Sequence, residues 1–304
     1  MRPIVTNGVL DDIVAARRAQ VERSKAAVPL DQMREAADRR ARSGDTRDFA
    51  AALSDDGLSV IAELKKASPS RGLLCRDYRP REIALGYEKG GAAALSVLTE
   101  EQFFLGSLEH LKGVRESVRL PVLRKDFIVD AYQVYESVAA GADALLLIVA
   151  ALTDETLAAL VELANNLGIA ELVEVHNEEE TRRAVAAGAR IIGVNNRDLR
   201  TFDVKLETSF RLRAMIPPGC LAISESGIGT SEDLDRLRQA GFDAVLIGER
   251  LITQADPGLA LAELMKGRSQ ESGNRSQESE VRSKRSGDRS QKSEAGSQES
   301  EVRS

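Results

Sequence analysis

Ionised side chains are scarce inside apolar β-strands, because a charge held away from water needs a partner or a task. In this chain they interrupt several apolar runs. Glu63 and Lys65 close the run Ser59-Val-Ile-Ala-Glu-Leu-Lys two residues apart, so they share one face. The pair fits a ligand-facing couple and equally an ion pair that ends the strand. Arg124, Lys125 and Asp126 follow Pro121-Val-Leu; one of Arg124 and Lys125 must face inward, and alternation does not say which. A lysine desolvated among other cations loses basicity and can serve as a general acid near neutrality. Glu174 lies between two valines, a position that favours function over packing. His176 opens the following loop and, as a lone loop histidine, is assigned no role. Asn195, Asn196 and Arg197 end another run. Amides direct hydrogen bonds, and Arg197 suits a phosphate or hydroxyls. The turns Ser224-Glu-Ser-Gly-Ile-Gly229 and Gly248-Glu249-Arg250 would let backbone N–H groups approach a phosphate at a helix N-terminus. The Glu249 side chain must then turn away. An acid–base pair, directed amides and a phosphate cradle suit proton transfer on a small sugar phosphate. No metal-ligand cluster and no Ser-His-Asp set accompanies them.

The elements that carry these residues follow a repeat. Gly91, Gly141, Gly188 and Gly241 each lead into an apolar strand, at spacings of about 47 to 53 residues. Glycine at such a point ends a helix in a left-handed conformation that other residues resist. Between them lie further strand candidates at Ser59 to Leu64, Pro121 to Phe127, Ala170 to Val175 and Leu221 to Ser224. Continuous apolar strands separated by Ala- and Glu-rich segments predict parallel strands covered on both faces. Eight such units predict a (β/α)8 TIM barrel, which typically takes ~250 residues, and its active site belongs at the C-terminal strand ends. An open doubly wound sheet would place a Gly-rich dinucleotide loop after the first strand, and none is present. Val9, Leu10, Ile13, Val14 and Val21 predict a leading helix, capped by Thr6 or Asn7, and a second helix covers Leu30 to Arg42. The domain is therefore expected over 1–266, with a helical extension over about 1–57. Residues 267–304 repeat Arg-Ser-Gln-Glu-Ser-like units with almost no apolar residue and are expected to form a disordered tail.

Composition narrows the class. The chain has 304 residues and a net charge of -6, which disfavours general nucleic-acid binding. Cys75 and Cys220 have no metal spacing and form no disulfide framework, as in a reducing cytoplasm. Met1 to Leu10 lacks an apolar signal core, and the longest apolar run, Ala144 to Leu152, is too short to span a bilayer.

The stretches Ile61-Ala-Glu-Leu-Lys-Lys-Ala-Ser-Pro-Ser-Arg-Gly, Ser96-Val-Leu-Thr-Glu, Phe103-Phe-Leu-Gly-Ser, Leu123-Arg-Lys-Asp-Phe, Leu172-Val-Glu-Val-His, Gly193-Val-Asn-Asn-Arg-Asp-Leu and Ser224-Glu-Ser-Gly-Ile resemble the indole-3-glycerol-phosphate synthase family, in order on successive strands. The resemblance runs from about Val9 to about Leu264, and the tail has no counterpart. It implies ring closure, decarboxylation and dehydration of 1-(2-carboxyphenylamino)-1-deoxyribulose 5-phosphate to indole-3-glycerol phosphate, a step of tryptophan biosynthesis. It implies no cofactor and no metal, a small-molecule sugar-phosphate substrate, a cytoplasmic location, and no nucleic-acid or membrane partner. It admits other tryptophan-pathway enzymes as partners and leaves monomer and homodimer open. By position, Lys125 would protonate the ketone oxygen, Lys65 would hold the substrate carboxylate and donate a proton on dehydration, and Glu174 would transfer a proton in that step. Glu63 would orient Lys125 or the substrate, and Asn195 the sugar oxygens. Glu225, Ser226 and Ser68 would line the substrate pocket, and Arg197 would hold polar groups of the sugar phosphate. Phe104, Phe127 and Pro69 would sandwich the aromatic ring. Backbone groups at Gly227, Gly248 and Glu249 would take the phosphate. Two other readings compete: a sugar-phosphate isomerase barrel, disfavoured by the combination of Glu63, Lys65, Lys125 and Glu174, and a non-catalytic scaffold, which predicts decay at Lys125 or Glu174.

Overall fold

The computed structural model describes residues 8–54, 57–199 and 201–266. Eight parallel strands close a barrel: β1 (Ser59–Leu64), β2 (Ala94–Leu98), β3 (Val122–Lys125), β4 (Ala144–Ile148), β5 (Ala170–Val175), β6 (Ile191–Asn195), β7 (Leu221–Glu225) and β8 (Ala244–Ile247). Each strand pairs with the next, and β1 closes the ring on β8 with Ser59 opposite Ala244. The expected (β/α)8 TIM barrel is the fold found. A small antiparallel hairpin, Ala67–Ser68 with Gly72–Leu73, sits in the loop after β1.

Three helices precede the barrel: α1 (Val9–Ala27), α2 (Leu30–Ser43) and α3 (Phe49–Leu53). Those between strands are α4 (Pro80–Lys89), α5 (Leu108–Ser117), α6 (Ala131–Ala139), α7 (Asp154–Asn166), α8 (Glu178–Ala186), α9 (Glu207–Arg213) and α10 (Ser231–Gln239). After β8 come the single-turn α11 (Glu249–Ile252) and a last helix over 257–266. Side-chain oxygens of Ser107, Asp130, Thr153, Asn177 and Thr230 accept backbone N–H groups at the starts of α5, α6, α7, α8 and α10, so each helix leaves its loop at a defined point. Gly91, Gly141, Gly188 and Gly241 take φ between 82° and 93°, the left-handed turn their spacing predicts. The leading helix begins on Gly8, with no side-chain cap; Thr6 and Asn7, and the tail over 267–304, lie outside the described residues.

Strand alternation sorts the barrel into two cores. Outward residues such as Val60, Val97, Leu145, Val173, Ile192 and Val245 pack against the helices. Inward residues Ala94, Ala144, Ile191 and Ala244, then Ile61, Leu123, Leu172 and Ile223, fill successive layers of the interior with Phe49 and Leu53 of α3. Burying each large aliphatic contributes about 1.5–3 kcal/mol. Above them β2, β4, β6 and β8 place Ser96, Leu146, Gly193 and Leu246 on their inward faces, by the same alternation. The next inward residues of β1, β3, β5 and β7 are Glu63, Lys125, Glu174 and Glu225. The layer that faces the loops is thus made of charge, one group from every second strand.

Candidate active site

The charged layer floors a cavity of about 510 Å³ at the C-terminal ends of the strands. Its lining brings together Glu63, Lys65, Ser68, Pro69, Phe104, Lys125, Phe127, Glu174, Asn195, Arg197, Glu225, Ser226, Gly227, Gly248 and Glu249, so every site residue expected from sequence borders one space.

Parity within β3 decides between its two cations. Arg124 points outward under α6, where it meets Asp126, Glu136, Ser137 and the carbonyl of Gln133. Lys125 points inward. Its Nζ lies 2.7 Å from Glu174 Oε2 and 2.5 Å from Glu225 Oε2. This corrects the expected environment: Lys125 is ringed by carboxylates, not cations. Burial works to lower its pKa, but Glu174, Glu225 and Glu63 together raise it above the ordinary lysine value. It therefore stands as a proton-bearing ammonium.

The carboxylates around it are not equivalent. Burial would raise Glu174, but Lys125 and His176 outweigh that and hold its carboxyl well below the usual range. Asn195 Nδ2 donates to its Oε1 at 3.1 Å. Glu225 is driven the other way by burial and by the charge of Glu174, against the pull of Lys125. Its Oε1 is buried with no hydrogen-bond partner. One cation cannot hold two buried carboxylates ionised equally. Glu63 pairs with Lys65, 2.7 Å from Oε1 to Nζ, and both residues of this ion pair border the cavity.

Two glycines make room for this layer. A Cβ at Gly193 would collide with the Glu225 carboxylate, and one at Gly248 with that of Glu63. Sequence gave no reason for Gly193; the clash with a neighbouring strand's side chain is visible only in three dimensions. Ser226 follows Glu225 with φ 67°, a left-handed conformation unusual for a serine. Asn196 supports it: its Nδ2 donates to Ser224 Oγ and to the carbonyls of Glu225 and Ser226, each at 3.0 Å. Asn196 faces away from the cavity, so its neighbour Asn195 alone meets Glu174.

Phe104 and Phe127 meet each other, centroids 5.9 Å apart and planes tilted by 36°. Direct contact leaves no ring-thick gap between them, so they make one wall rather than the two sides of a sandwich. The loop that carries Phe104 is pinned by Glu100, whose buried carboxylate accepts the N–H groups of Gln102, Phe103 and Phe104 at 2.7–3.0 Å. Val9, Leu10 and Ile13 of α1 extend the lining.

At the rim, the Glu249 carboxylate does not turn away as expected. It pairs with Arg71 of the β1 loop and with Arg197, 3.4 Å from Nη2. Arg71 and His176 are the contributors that sequence reading left out. The signal for His176 was its position two residues after Glu174, on the same side of the chain. Among the described residues no group of three or more His, Cys, Asp or Glu is arranged to hold a metal ion, and no helix is long and apolar enough to cross a membrane.

Comparison with known proteins follows the same outline. The family model described as indole-3-glycerol phosphate synthase matches residues 10–264. An indole-3-glycerol phosphate synthase from Chloroherpeton thalassium is 60% identical over 211 residues, covering 68% of this chain and 81% of that protein. One from Roseiflexus sp. (strain RS-1) is 50% identical over 268 residues, 85% of this chain and 98% of that protein. Among solved structures, 3-hexulose-6-phosphate synthase from Salmonella typhimurium superposes with a TM-score of 0.56 at 14% identity, covering 70% of this chain and 99% of that one. Thiamine phosphate pyrophosphorylase from Pyrococcus furiosus gives 0.54 at 18% identity, covering 70% and 96%. At such identities these two show the barrel fold alone.

Proposed function

The chain belongs to the indole-3-glycerol phosphate synthase family, and from that premise we propose how its residues divide the reaction. The activity is that of a decarboxylating lyase of tryptophan biosynthesis, acting on a small sugar phosphate. The ammonium of Lys125, held between Glu174 and Glu225, carries the assignment. It donates its proton to the substrate ketone oxygen, which makes that carbon electrophilic towards the carboxylate-bearing ring carbon. The new C–C bond forms there, carbon dioxide leaves, and its bonding electrons restore the ring. Lys65 holds the substrate carboxylate before that loss. In the dehydration, Lys65 gives a proton to the departing hydroxyl and Glu174 takes one from the indoline, so water leaves and the second ring becomes aromatic. Glu63 holds Lys65 in place.

Asn195 and Arg197 direct the sugar oxygens, while Ser68, Glu225 and Ser226 line the pocket. The Phe104–Phe127 wall faces the anthranilate ring, with Pro69 bordering the same cavity. Backbone N–H groups at Gly227, Gly248 and Glu249 take the phosphate. Arg71 and Arg197, tied together by the Glu249 carboxylate, add positive charge at that rim. The enzyme acts in the cytoplasm, as a monomer or homodimer, alone or beside other enzymes of the pathway.

The test is product formation from the carboxyphenylamino substrate by the purified protein and its Lys125→Met variant. Loss of about 10²–10⁴-fold in kcat with the fold intact is expected of a missing general acid. Turnover that survives in the variant rejects Lys125 as the acid.

A further inference from the structure

His176 is the first residue beyond β5, and its ring lies almost wholly out of solvent. Its Nε2 stands 3.3 Å from Glu174 Oε1, and its Nδ1 stands 3.0 Å from Glu180 Oε2. Glu180 cannot easily swing away. The backbone N–H of His176 donates to the same Oε2 at 2.8 Å, and Asn177 Nδ2 donates to Oε1 at 2.7 Å. Nδ1 hydrogen-bonds to Glu180, whereas Nε2 lies within ion-pair range of Glu174 without hydrogen-bond geometry, so the two flanking carboxylates favour the charged ring by their field. Burial opposes that charge, yet Glu174 and Glu180 prevail and push the His176 pKa up to about 10. Arg183 of the same helix turns elsewhere, to Asp154 and to the carbonyls of Val149 and Leu152. On its far side Glu174 meets Lys125 of β3 and Asn195 of β6, with Glu225 of β7 beyond the lysine.

We propose that His176 is a positioning residue for the reaction: a fixed imidazolium, anchored by Glu180, that holds Glu174 oriented and ionised while Lys125 is without its proton. The need arises from the chemistry. Once Lys125 has protonated the ketone it is neutral, and Glu174 has lost its first counter-ion inside a buried layer. A buried carboxylate in that state would itself take up a proton and could not accept one in the dehydration. The second cation, outside the cavity lining, keeps Glu174 a base between the two steps. This inference rests on the proton-acceptor role given to Glu174.

The Lys125→Met enzyme reproduces the stage at which the lysine charge is absent. There the Glu174 carboxyl is followed by ¹³C NMR against pH, its resonance identified by its loss when Glu174→Gln is added. Adding His176→Gln should raise the titration midpoint by about one unit or more. An unchanged midpoint overturns the proposal, and His176→Asn provides a second uncharged variant if the first does not fold. In the otherwise native enzyme His176→Gln should lower kcat by about tenfold with KM held, as for a misplaced catalytic group. Undiminished kcat likewise overturns it. Glu174→Gln separates the two assignments. If it turns over at the native rate, the role of Glu174 is rejected, whereas an inactive Glu174→Gln with an unmoved midpoint rejects His176 alone.

Discussion

At the barrel mouth the carboxyls of Glu174 and Glu225 share the Lys125 ammonium, and their pKa values move in opposite directions. The consequence for stability has a sign for each. Glu225 binds its proton more tightly folded than unfolded, so its contribution is full below the ordinary carboxylate range and is lost as pH climbs above it. Glu225→Gln should therefore gain stability relative to the native protein between pH 5 and pH 8, on the order of 1 kcal/mol, read from urea unfolding; a loss over that interval contradicts the assignment. His176 is raised to about 10. Its contribution is present below the ordinary histidine value and disappears as pH rises through the folded one. The stability gap between native protein and His176→Gln should shrink from neutrality to pH 10 in the same assay. Charged positions such as Glu63, Lys125 and Glu174 were legible in sequence because ionisable residues have no cheap place in an apolar strand. Their partners were not. Neither the orientation of β3 nor the exchange of expected cations for carboxylates around Lys125 can be read along a single strand, since both depend on strands 49 and 100 residues away.

The elements themselves were legible because each repeats one pattern: a capped amphipathic helix, a left-handed glycine, an apolar strand. Strand limits were less so. Pro121 to Phe127 shortens to Val122–Lys125, since Asp126 leaves the ladder to accept hydrogen bonds from Thr99, Arg124 and Arg17. The bare backbone of β6 at Gly193 shows how one strand shapes the next. Gly193→Ala should force the Glu225 carboxylate off Lys125. The expected result is a marked fall in kcat with an overpacking cost of about 1–3 kcal/mol, measured by turnover and thermal melting together. Native kcat in that variant would mean that Glu225 can leave its place without effect.

For the molecule as a whole, the leading helix is tied to the catalytic strand by a buried pair, Arg17 to Asp126 at 2.8 Å. Arg17→Leu leaves Arg124 as the one cation paired with Asp126 among the described residues and should cost up to about 3 kcal/mol, seen as a lower urea midpoint. At the other end the family match stops at 264, and the described residues end at 266. Removing 267–304 should leave kcat and KM at their native values, and a large loss in the same turnover assay would assign the segment a part in catalysis.

The charged ring has an implication for how the enzyme comes to be. Each of its members, Glu63, Lys125, Glu174 and Glu225, is delivered by a different two-strand unit of the chain. No early stretch of a growing polypeptide carries a working set, and the last group arrives only with β7. Catalysis is therefore a readout of barrel closure. Two fragments severed between units should each be inert, and mixing them should restore turnover at the rate at which they find one another, which makes the enzyme a clock for its own assembly.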